Sequence, residues 1–308
     1  MKKITIVGAG RVGESTAHNL AKAELCREVV LIDIKEGVPQ GTALDIQESA
    51  PIFAFDTMLT GSNDMQAMAG SDMVVITAGI PRKPGMSRSD VLDTNLKVIH
   101  GIVDVLLEVA PTALLLIVSN PVDVLTYAAW KRSGWPRHRV FGMAGVLDSA
   151  RMASFVAMET GFSVKDITAM VLGGHGDTMV PMTRFTCING IPIEHFLPQE
   201  KIERIVQRTR EGGAEILSLR KTASAYDAPA AAVAAMVDAI SYNRRHILPG
   251  VAVLQGEYGL DDICMGVPIV FGENGVEQVI ELPLTAEEAT EFKHSADMVQ
   301  ADLARLKK

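Results

Sequence analysis

A glycine-rich turn near the start of the chain constrains its fold more than any other feature. Residues 4–7 form a β-branched apolar run that is long enough for a buried parallel strand and too short for a helix. Gly8, Gly10 and Gly13 follow this run, and a helical pattern comes after them. In such a strand–turn–helix unit, the glycines allow a tight turn, close approach of a pyrophosphate, and close packing of helix on strand. The segment predicts a dinucleotide-binding turn with phosphates at the helix start.

A second predicted strand, residues 29–32, ends in Asp33, about 20 residues beyond the turn. A bare glycine motif also occurs in purely structural turns, but this spacing favours cofactor binding. A carboxylate here binds the adenosine ribose hydroxyls and repels the additional phosphate of NADP. Lys35 is a weaker indication in the opposite direction, because its charge would attract that phosphate. The pattern therefore favours NAD.

Composition excludes several other classes of function. The 308 residues suffice for two domains, and the net charge of −8 argues against nucleic acid or an anionic membrane as partner. We find no apolar run of transmembrane length, and residues 1–3 lead into a strand instead of a signal-peptide core. Cys26, Cys187 and Cys264 are scattered without metal-ligand spacing. We therefore expect reduced thiols, no metal site and a cytoplasmic location.

The order of elements predicts an α/β fold. Short apolar runs at 73–77 and 114–118 alternate with helical segments, which is typical of a doubly wound parallel sheet. The composition changes at residues 142–145. We therefore expect an NAD-binding Rossmann domain over residues 1–144 and a catalytic domain over residues 145–308.

The second half predicts an α+β substrate domain with antiparallel strands. Helices are predicted at 147–160, at 200–220 with an interruption at Gly212 and Gly213, at 227–242, and after a capping box at Thr285 and Glu288. Strands are predicted at 167–172, as a hairpin about Asn189 and Gly190, and as a meander over 251–255, 267–271 and 276–282, with one turn at Pro249 and Gly250.

A basic loop, residues 80–88, follows the strand at 73–77. It carries three cations and no acid, beyond the strand end where ligands bind in open α/β sheets. A charged loop is often only a solvated surface. Two arginines near a cofactor crevice, Arg82 and Arg88, instead favour a lid that brings positive charge to an anion.

Other polar residues stand at informative places. Asn120 follows the strand at 114–118 and precedes a proline, so it is either a ligand-binding amide or a turn former. Asp148 and Arg151 are three apart on a predicted helix, so they share one face, as a site or as a surface ion pair. His175 lies among three glycines at a strand end. A lone histidine is usually structural, but this exposed setting favours an acid–base group.

Five separated motifs carry a resemblance to a known family that covers essentially the whole chain: GAGRVG, AGIPRKPGMSR, VSNPVDVLTY, GMAGVLDSAR and GGHGDTMVP. Together they resemble the lactate/malate dehydrogenases, and more narrowly the bacterial malate-type members of that family. The resemblance implies reversible hydride transfer between NAD and a 2-hydroxy acid, with a homodimer or homotetramer as the assembly.

The resemblance also implies roles for particular residues. His175 would be the acid–base group, with Asp148 on its other ring nitrogen. Arg151 would bind the C1 carboxylate, Arg88 would polarise the reacting carbonyl oxygen, and Asn120 would bind the substrate. The cofactor residues implied by the family are Gly8, Gly10, Arg11, Val12, Gly13, Asp33, Asn95, Val118 and Asn120.

Arg82 carries the expectation about the substrate. The matching family position is typically glutamine in lactate enzymes and arginine in malate enzymes, because a second carboxylate needs a positive partner there. Met86 also replaces an acid that many lactate enzymes carry. We therefore expect the dicarboxylates malate and oxaloacetate. The alternatives are another 2-hydroxy acid such as lactate, or a non-catalytic NAD-binding protein.

The sequence departs from the family pattern at Asp227, where relatives commonly have an aromatic residue. This difference affects either the floor of the pocket or only the start of a helix.

Overall fold

The main element of the protein is a nine-stranded sheet, in a computed structural model that describes residues 1–80 and 88–307. Six of its strands are parallel: β1 (Lys3–Val7), β2 (Glu28–Ile32), β3 (Met58–Ser62), β4 (Met73–Ile76), β5 (Leu114–Ile117) and β6 (Val140–Gly142). They lie in the order β3-β2-β1-β4-β5-β6. This is the order of a doubly wound dinucleotide-binding sheet, so the predicted fold class is confirmed.

Helices fill the connections between the parallel strands: α1 (Arg11–Lys22), α2 (Val38–Glu48), α3 (Ala50–Phe53), α4 (Arg88–Val109) and α5 (Val122–Ser133). Every residue of β4 and β5 is buried. Parallel strands covered on both faces need apolar side chains at consecutive positions, which is why both segments are unbroken apolar runs. None of the helices in the described part of the chain is both long and apolar enough to span a membrane.

Three antiparallel strands extend this sheet beyond β6. They are β12 (His246–Gln255), β13 (Asp261–Gly272) and β14 (Gly275–Val279). Val251 of β12 pairs with Gly142 of β6, so one sheet continues across the expected junction. The division into residues 1–144 and 145–308 stays a prediction. Pro249 and Gly250 lie inside β12, opposite Pro268 and Val267, so the turn predicted there was wrong.

The rest of the second half packs partly against the sheet and partly around a smaller apolar core. Its helices are α6 (Gly145–Thr160), α7 (Gln199–Arg220), α8 (Asp227–Ser241) and α9 (Ala286–Leu303), and its short strands are β7 (Ile167–Thr168), β8 (Val171–Leu172), β9 (Val180–Pro181), β10 (Cys187–Ile188) and β11 (Ile191–Pro192). Met152, Ile167 and Ile202 are buried in this core. The capping box at α9 is confirmed, since Thr285 Oγ1 accepts from the Glu288 N–H and the Glu288 carboxylate accepts from the Thr285 N–H.

Two further predictions in this half were wrong. The strand predicted over 167–172 is two strands, because β7 pairs with β10 while β8 pairs with β9 in a different sheet. Helix α7 continues through Gly212 and Gly213 without interruption. The hairpin at Asn189 and Gly190 is present, although each of its strands has only two residues.

Candidate active site

The glycine-rich turn joins β1 to α1. Gly8 has a φ of 112°, and a Cβ added there would lie 2.7 Å from the Ala78 backbone nitrogen. A Cβ at Gly13 would lie 1.8 Å from the Gly8 carbonyl oxygen, so helix and strand can pack only around glycine. A Cβ at Gly10, in contrast, would meet nothing within 4 Å. Gly10 therefore borders open space at the start of α1, where no side chain caps the free N–H groups.

Asp33 lies beside this turn at the end of β2. Its Oδ2 accepts a hydrogen bond from the Ala9 N–H and its Oδ1 accepts one from the Lys35 N–H, each at 2.9 Å. The carboxylate is thus held against the turn by two backbone donors. Each oxygen keeps a further lone pair that can accept from a hydroxyl.

Asn95 of α4 joins the segments that follow β4 and β5. Its Oδ1 accepts from the Ile80 N–H at 2.8 Å, and its Nδ2 donates to the Asn120 carbonyl at 2.8 Å. Asn95 and Val118 are buried, whereas Asn120 is exposed. Within residues 1–80 and 88–307 the Asn120 side-chain amide has no hydrogen-bond partner, so it is free to bind a ligand. The predicted cofactor contact of Asn95 stays a prediction, because these hydrogen bonds of its side chain engage backbone groups of the protein.

A histidine, an aspartate and an arginine meet in the second half. Asp148 and Arg151 lie on one face of α6, and Arg151 Nη1 donates to Asp148 Oδ1 at 3.1 Å. The other oxygen, Oδ2, is 2.9 Å from His175 Nδ1. Asp148 is 2% exposed, so this carboxylate is bound by both partners out of solvent. The spacing of Asp148 and Arg151 along the helix indicated a shared face, and the structure adds His175 to it.

The electrostatics of this cluster favour a charged imidazole. Burial lowers the pKa of His175, but Asp148 and Asp123 raise it by more, so its pKa is above the ordinary value. Because Nδ1 contacts Asp148, Nε2 is the ring nitrogen left for a substrate. The Arg151 Nε is buried without a hydrogen-bond partner in the described part of the chain, which suits a guanidinium that binds an added anion.

Asp123, on the first turn of α5, belongs to the same site and is not among the residues predicted from the sequence. Its Oδ2 accepts from the His175 backbone N–H at 2.8 Å, and its side chain is buried. The residue lies inside the motif VSNPVDVLTY. The available signal was a carboxylate among the apolar residues of α5, where an uncompensated charge is costly to bury.

The basic loop lies largely beyond what the structure describes. Arg82 and Met86 are outside the described residues, and Arg88 is described only as the first residue of α4. Asp227 begins α8, where a negative charge is favourable, and its Oδ2 is 3.4 Å from Arg220 Nη2. These contacts favour a role at the helix start. In the described part of the chain, His, Cys, Asp and Glu side chains form no group of three suited to a metal ion.

Comparison with known proteins gives a consistent result. The family model described as lactate/malate dehydrogenase, NAD binding domain, matches residues 2–142, and the one for the α/β C-terminal domain matches residues 145–308. A malate dehydrogenase from Thioalkalivibrio sulfidiphilus is 66% identical over 307 residues, which is 100% of both chains.

Solved structures agree with the sequence comparison. A malate dehydrogenase from Salinibacter ruber superposes with a TM-score of 0.95 at 46% identity, over 99% of this chain and 97% of the other. A lactate dehydrogenase from Cryptosporidium parvum, complexed with lactic acid and β-nicotinamide adenine dinucleotide, superposes with a TM-score of 0.96 at 38% identity, over 100% and 98%. The chain belongs to the lactate/malate dehydrogenase family.

Proposed function

We propose that this chain is an NAD-dependent malate dehydrogenase, which transfers a hydride reversibly between (S)-malate and NAD and forms oxaloacetate and NADH. The observation that carries the chemistry is the contact of 2.9 Å between His175 Nδ1 and Asp148 Oδ2, with Arg151 on the same carboxylate. Close relatives that are named malate dehydrogenases support the same reaction.

The glycine turn fits NAD. Gly10 faces open space beside uncapped helix N–H groups, which is the surface a pyrophosphate needs. Asp33 is positioned beside that turn to accept from ribose hydroxyls. NAD, when bound, accepts the hydride that leaves C2 of the hydroxy acid. The remaining residues proposed to line its site are Gly8, Arg11, Val12, Gly13, Asn95, Val118 and Asn120.

His175 acts as the acid–base group in this proposal. In the oxidation direction its neutral Nε2 takes the proton from the 2-hydroxyl group of malate. The imidazolium that forms donates through Nδ1–H to Asp148, whose charge stabilises it. In the reduction direction the imidazolium returns the proton to the carbonyl oxygen of oxaloacetate. A raised pKa keeps His175 protonated closer to neutrality, which suits reduction.

The arginines and Asn120 orient the substrate. Arg151 binds the C1 carboxylate through its planar guanidinium, and its buried unpartnered Nε supports this assignment. Arg88 polarises the carbonyl oxygen as charge develops there. The unpartnered amide of Asn120 donates to the substrate. Arg82 binds the distal carboxylate, which distinguishes oxaloacetate from pyruvate.

The first test compares the rates of NADH oxidation by the purified protein with oxaloacetate and with pyruvate at equal concentration. We expect a strong preference for oxaloacetate. A preference for pyruvate would retain the mechanism and overturn the specificity. No turnover with either substrate, despite NADH binding, would support a non-catalytic NAD-binding protein.

The second test replaces the specificity residue. Arg82→Gln should lower kcat/KM for oxaloacetate by at least about 30-fold, the equivalent of about 2 kcal/mol for a lost buried charge pair. Activity with pyruvate should rise. Lys83→Gln is the matched control, because it removes the same charge from the adjacent position. Equal effects of both substitutions would remove Arg82 from its proposed role.

We also propose that the enzyme is a homodimer or homotetramer that acts in the cytoplasm, within the tricarboxylic acid cycle. Support for assembly comes from exposed apolar side chains within residues 34–53, including Ile34 at 94% and Ile52 at 83% exposure. Apolar surface of this kind marks protein interfaces. Light scattering coupled to size-exclusion chromatography tests the assembly, and a monomeric mass would contradict it.

A further inference from the structure

A buried carboxylate lies behind the backbone of His175 and is absent from the roles proposed above. Asp123 is 5% exposed. Its Oδ2 accepts the His175 N–H at 2.8 Å, while its Oδ1 is buried without a hydrogen-bond partner in the described part of the chain. This carboxylate lies beside the backbone of Gly174, where an added Cβ would be at an ordinary contact distance of 3.6 Å from Asp123 Oδ2. An ionisable group with an unpartnered buried oxygen needs an explanation.

Three consecutive residues of the histidine loop are held by different elements. Gly173 exchanges two backbone hydrogen bonds with Gly266 of β13, at 2.9 and 3.2 Å. The Gly174 N–H donates to Ser295 Oγ of α9 at 2.8 Å. The His175 N–H donates to Asp123. Among these three hydrogen-bond partners of the loop, only Asp123 is ionisable. The Gly266 backbone and the Ser295 hydroxyl are neutral.

We propose that Asp123 is a positioning residue for the reaction, which holds the His175 backbone and whose negative charge favours the protonated imidazole. The proposal rests on the proposed function only in taking His175 as the acid–base group. According to this proposal, the charge of Asp123 helps to set the pH range over which the His175 imidazole is protonated.

The charges around His175 indicate that Asp123 has a strong effect on protonation of the imidazole. Asp148 and Arg151 face the imidazole from α6, and Asp123 faces it from α5. The negative charge of Asp148 is shared with Arg151, whose own charge opposes protonation of His175. In the described part of the chain Asp123 has no arginine or lysine partner, so its charge acts on the imidazole without that compensation. Removing it should therefore shift the His175 titration noticeably.

The state of Asp123 itself depends on pH. Burial raises the pKa of its carboxyl to about 6, against the opposing effects of the His175 N–H and the His175 charge. Two other titratable groups interact with it. Asp148 raises its pKa further, and burial keeps Cys264 of β13 a neutral thiol by raising its pKa. Asp123 is therefore ionised at neutral pH and becomes protonated in mild acid, where its support of the imidazolium is lost.

The test measures the His175 titration directly, by ¹⁵N NMR of the histidine-labelled full chain without substrate, with the signal assigned by its loss in His175→Asn. Asp123→Asn keeps an acceptor for the His175 N–H and removes the charge. Ser295→Ala is the matched control, because it removes a neutral acceptor from the adjacent residue of the same loop. Activity is not needed for this readout, so failure of the proposed function would be distinguishable.

We expect Asp123→Asn to lower the His175 midpoint by about one pH unit, and Ser295→Ala to leave it in place. The fall in kcat/KM for oxaloacetate at alkaline pH should move downward by the same amount. An unchanged His175 midpoint in Asp123→Asn would overturn the proposal. A shift of equal size in Asp123→Asn and Ser295→Ala would overturn it as well.

A second pair of measurements covers the case in which the asparagine variant does not fold. Asp123→Ser is smaller, keeps an acceptor oxygen and removes the same charge, so it should lower the midpoint equally. In the unmutated protein the His175 signal should show a second, smaller inflection near pH 6, where the Asp123 carboxyl takes up its proton. An unchanged His175 midpoint in Asp123→Ser would overturn the proposal.

Discussion

Replacing Gly212 by alanine tests whether α7 makes room for the arginine proposed to bind the substrate. A Cβ added at Gly212 would lie 3.1 Å from Arg151 Cδ. Non-bonded carbons prefer a separation of about 3.5–4.0 Å, so the arginine stem would have to retreat by roughly half an ångström. A misplacement of 1 Å in an active site costs about 10²-fold in rate. We therefore expect kcat/KM for oxaloacetate to fall about tenfold, the equivalent of 1.4 kcal/mol.

Gly213→Ala supplies the control for this prediction. An added Cβ at Gly213 would lie 3.8 Å from Arg151 Nη2, an ordinary contact. Alanine in a helix interior is more favourable than glycine by about 1 kcal/mol, so Gly213→Ala should raise thermal stability and leave kinetics nearly unchanged. Steady-state kinetics and thermal unfolding of both variants make the comparison. Equal kcat/KM for the two variants would refute the reasoning, because only Gly212 contacts the stem closely.

Three further predictions concern other parts of the molecule. His175→Asn should abolish turnover and retain NADH binding, measured by fluorescence; surviving turnover would place the acid–base group elsewhere. Gly10→Ala should weaken NADH binding in a folded protein, because its Cβ enters the open space proposed for the pyrophosphate. Gly13→Ala should instead destabilise the fold, because its Cβ would lie 1.8 Å from the Gly8 carbonyl oxygen. Circular dichroism measures the folding of each variant and NADH titration measures its binding. The hydrogen bonds from Arg137 hold the pKa of Glu257 at about 2, below the ordinary value of 4.5. A depressed carboxyl pKa stabilises the fold above pH 4.5 and loses that effect as the pH falls to 2, so Glu257→Gln should lose less stability over this interval in denaturant unfolding.

Local patterns in the sequence by themselves determined much of this protein. The turn between β1 and α1 could be predicted because each glycine meets a requirement set by residues within a few positions. The alternation of apolar runs with helical segments predicted the parallel sheet, since buried strands and amphipathic helices have different periods. The glycines next to His175 identified it as a candidate acid–base residue, because they too are local features of the sequence. These features depend on short segments of chain.

Tertiary structure decided which distant side chains meet. The contact between His175 and Asp148 joins a loop to a helix 27 residues away, and Asp123 reaches the same loop across 52 residues. Gly212 was taken for a break in a helix, and only packing against Arg151 shows why a glycine is there. The strand predicted over 167–172 divides because its two ends pair with different partners. Periodicity describes the faces of single elements. The choice of neighbour depends on the whole chain packing at once, so only the folded structure shows it.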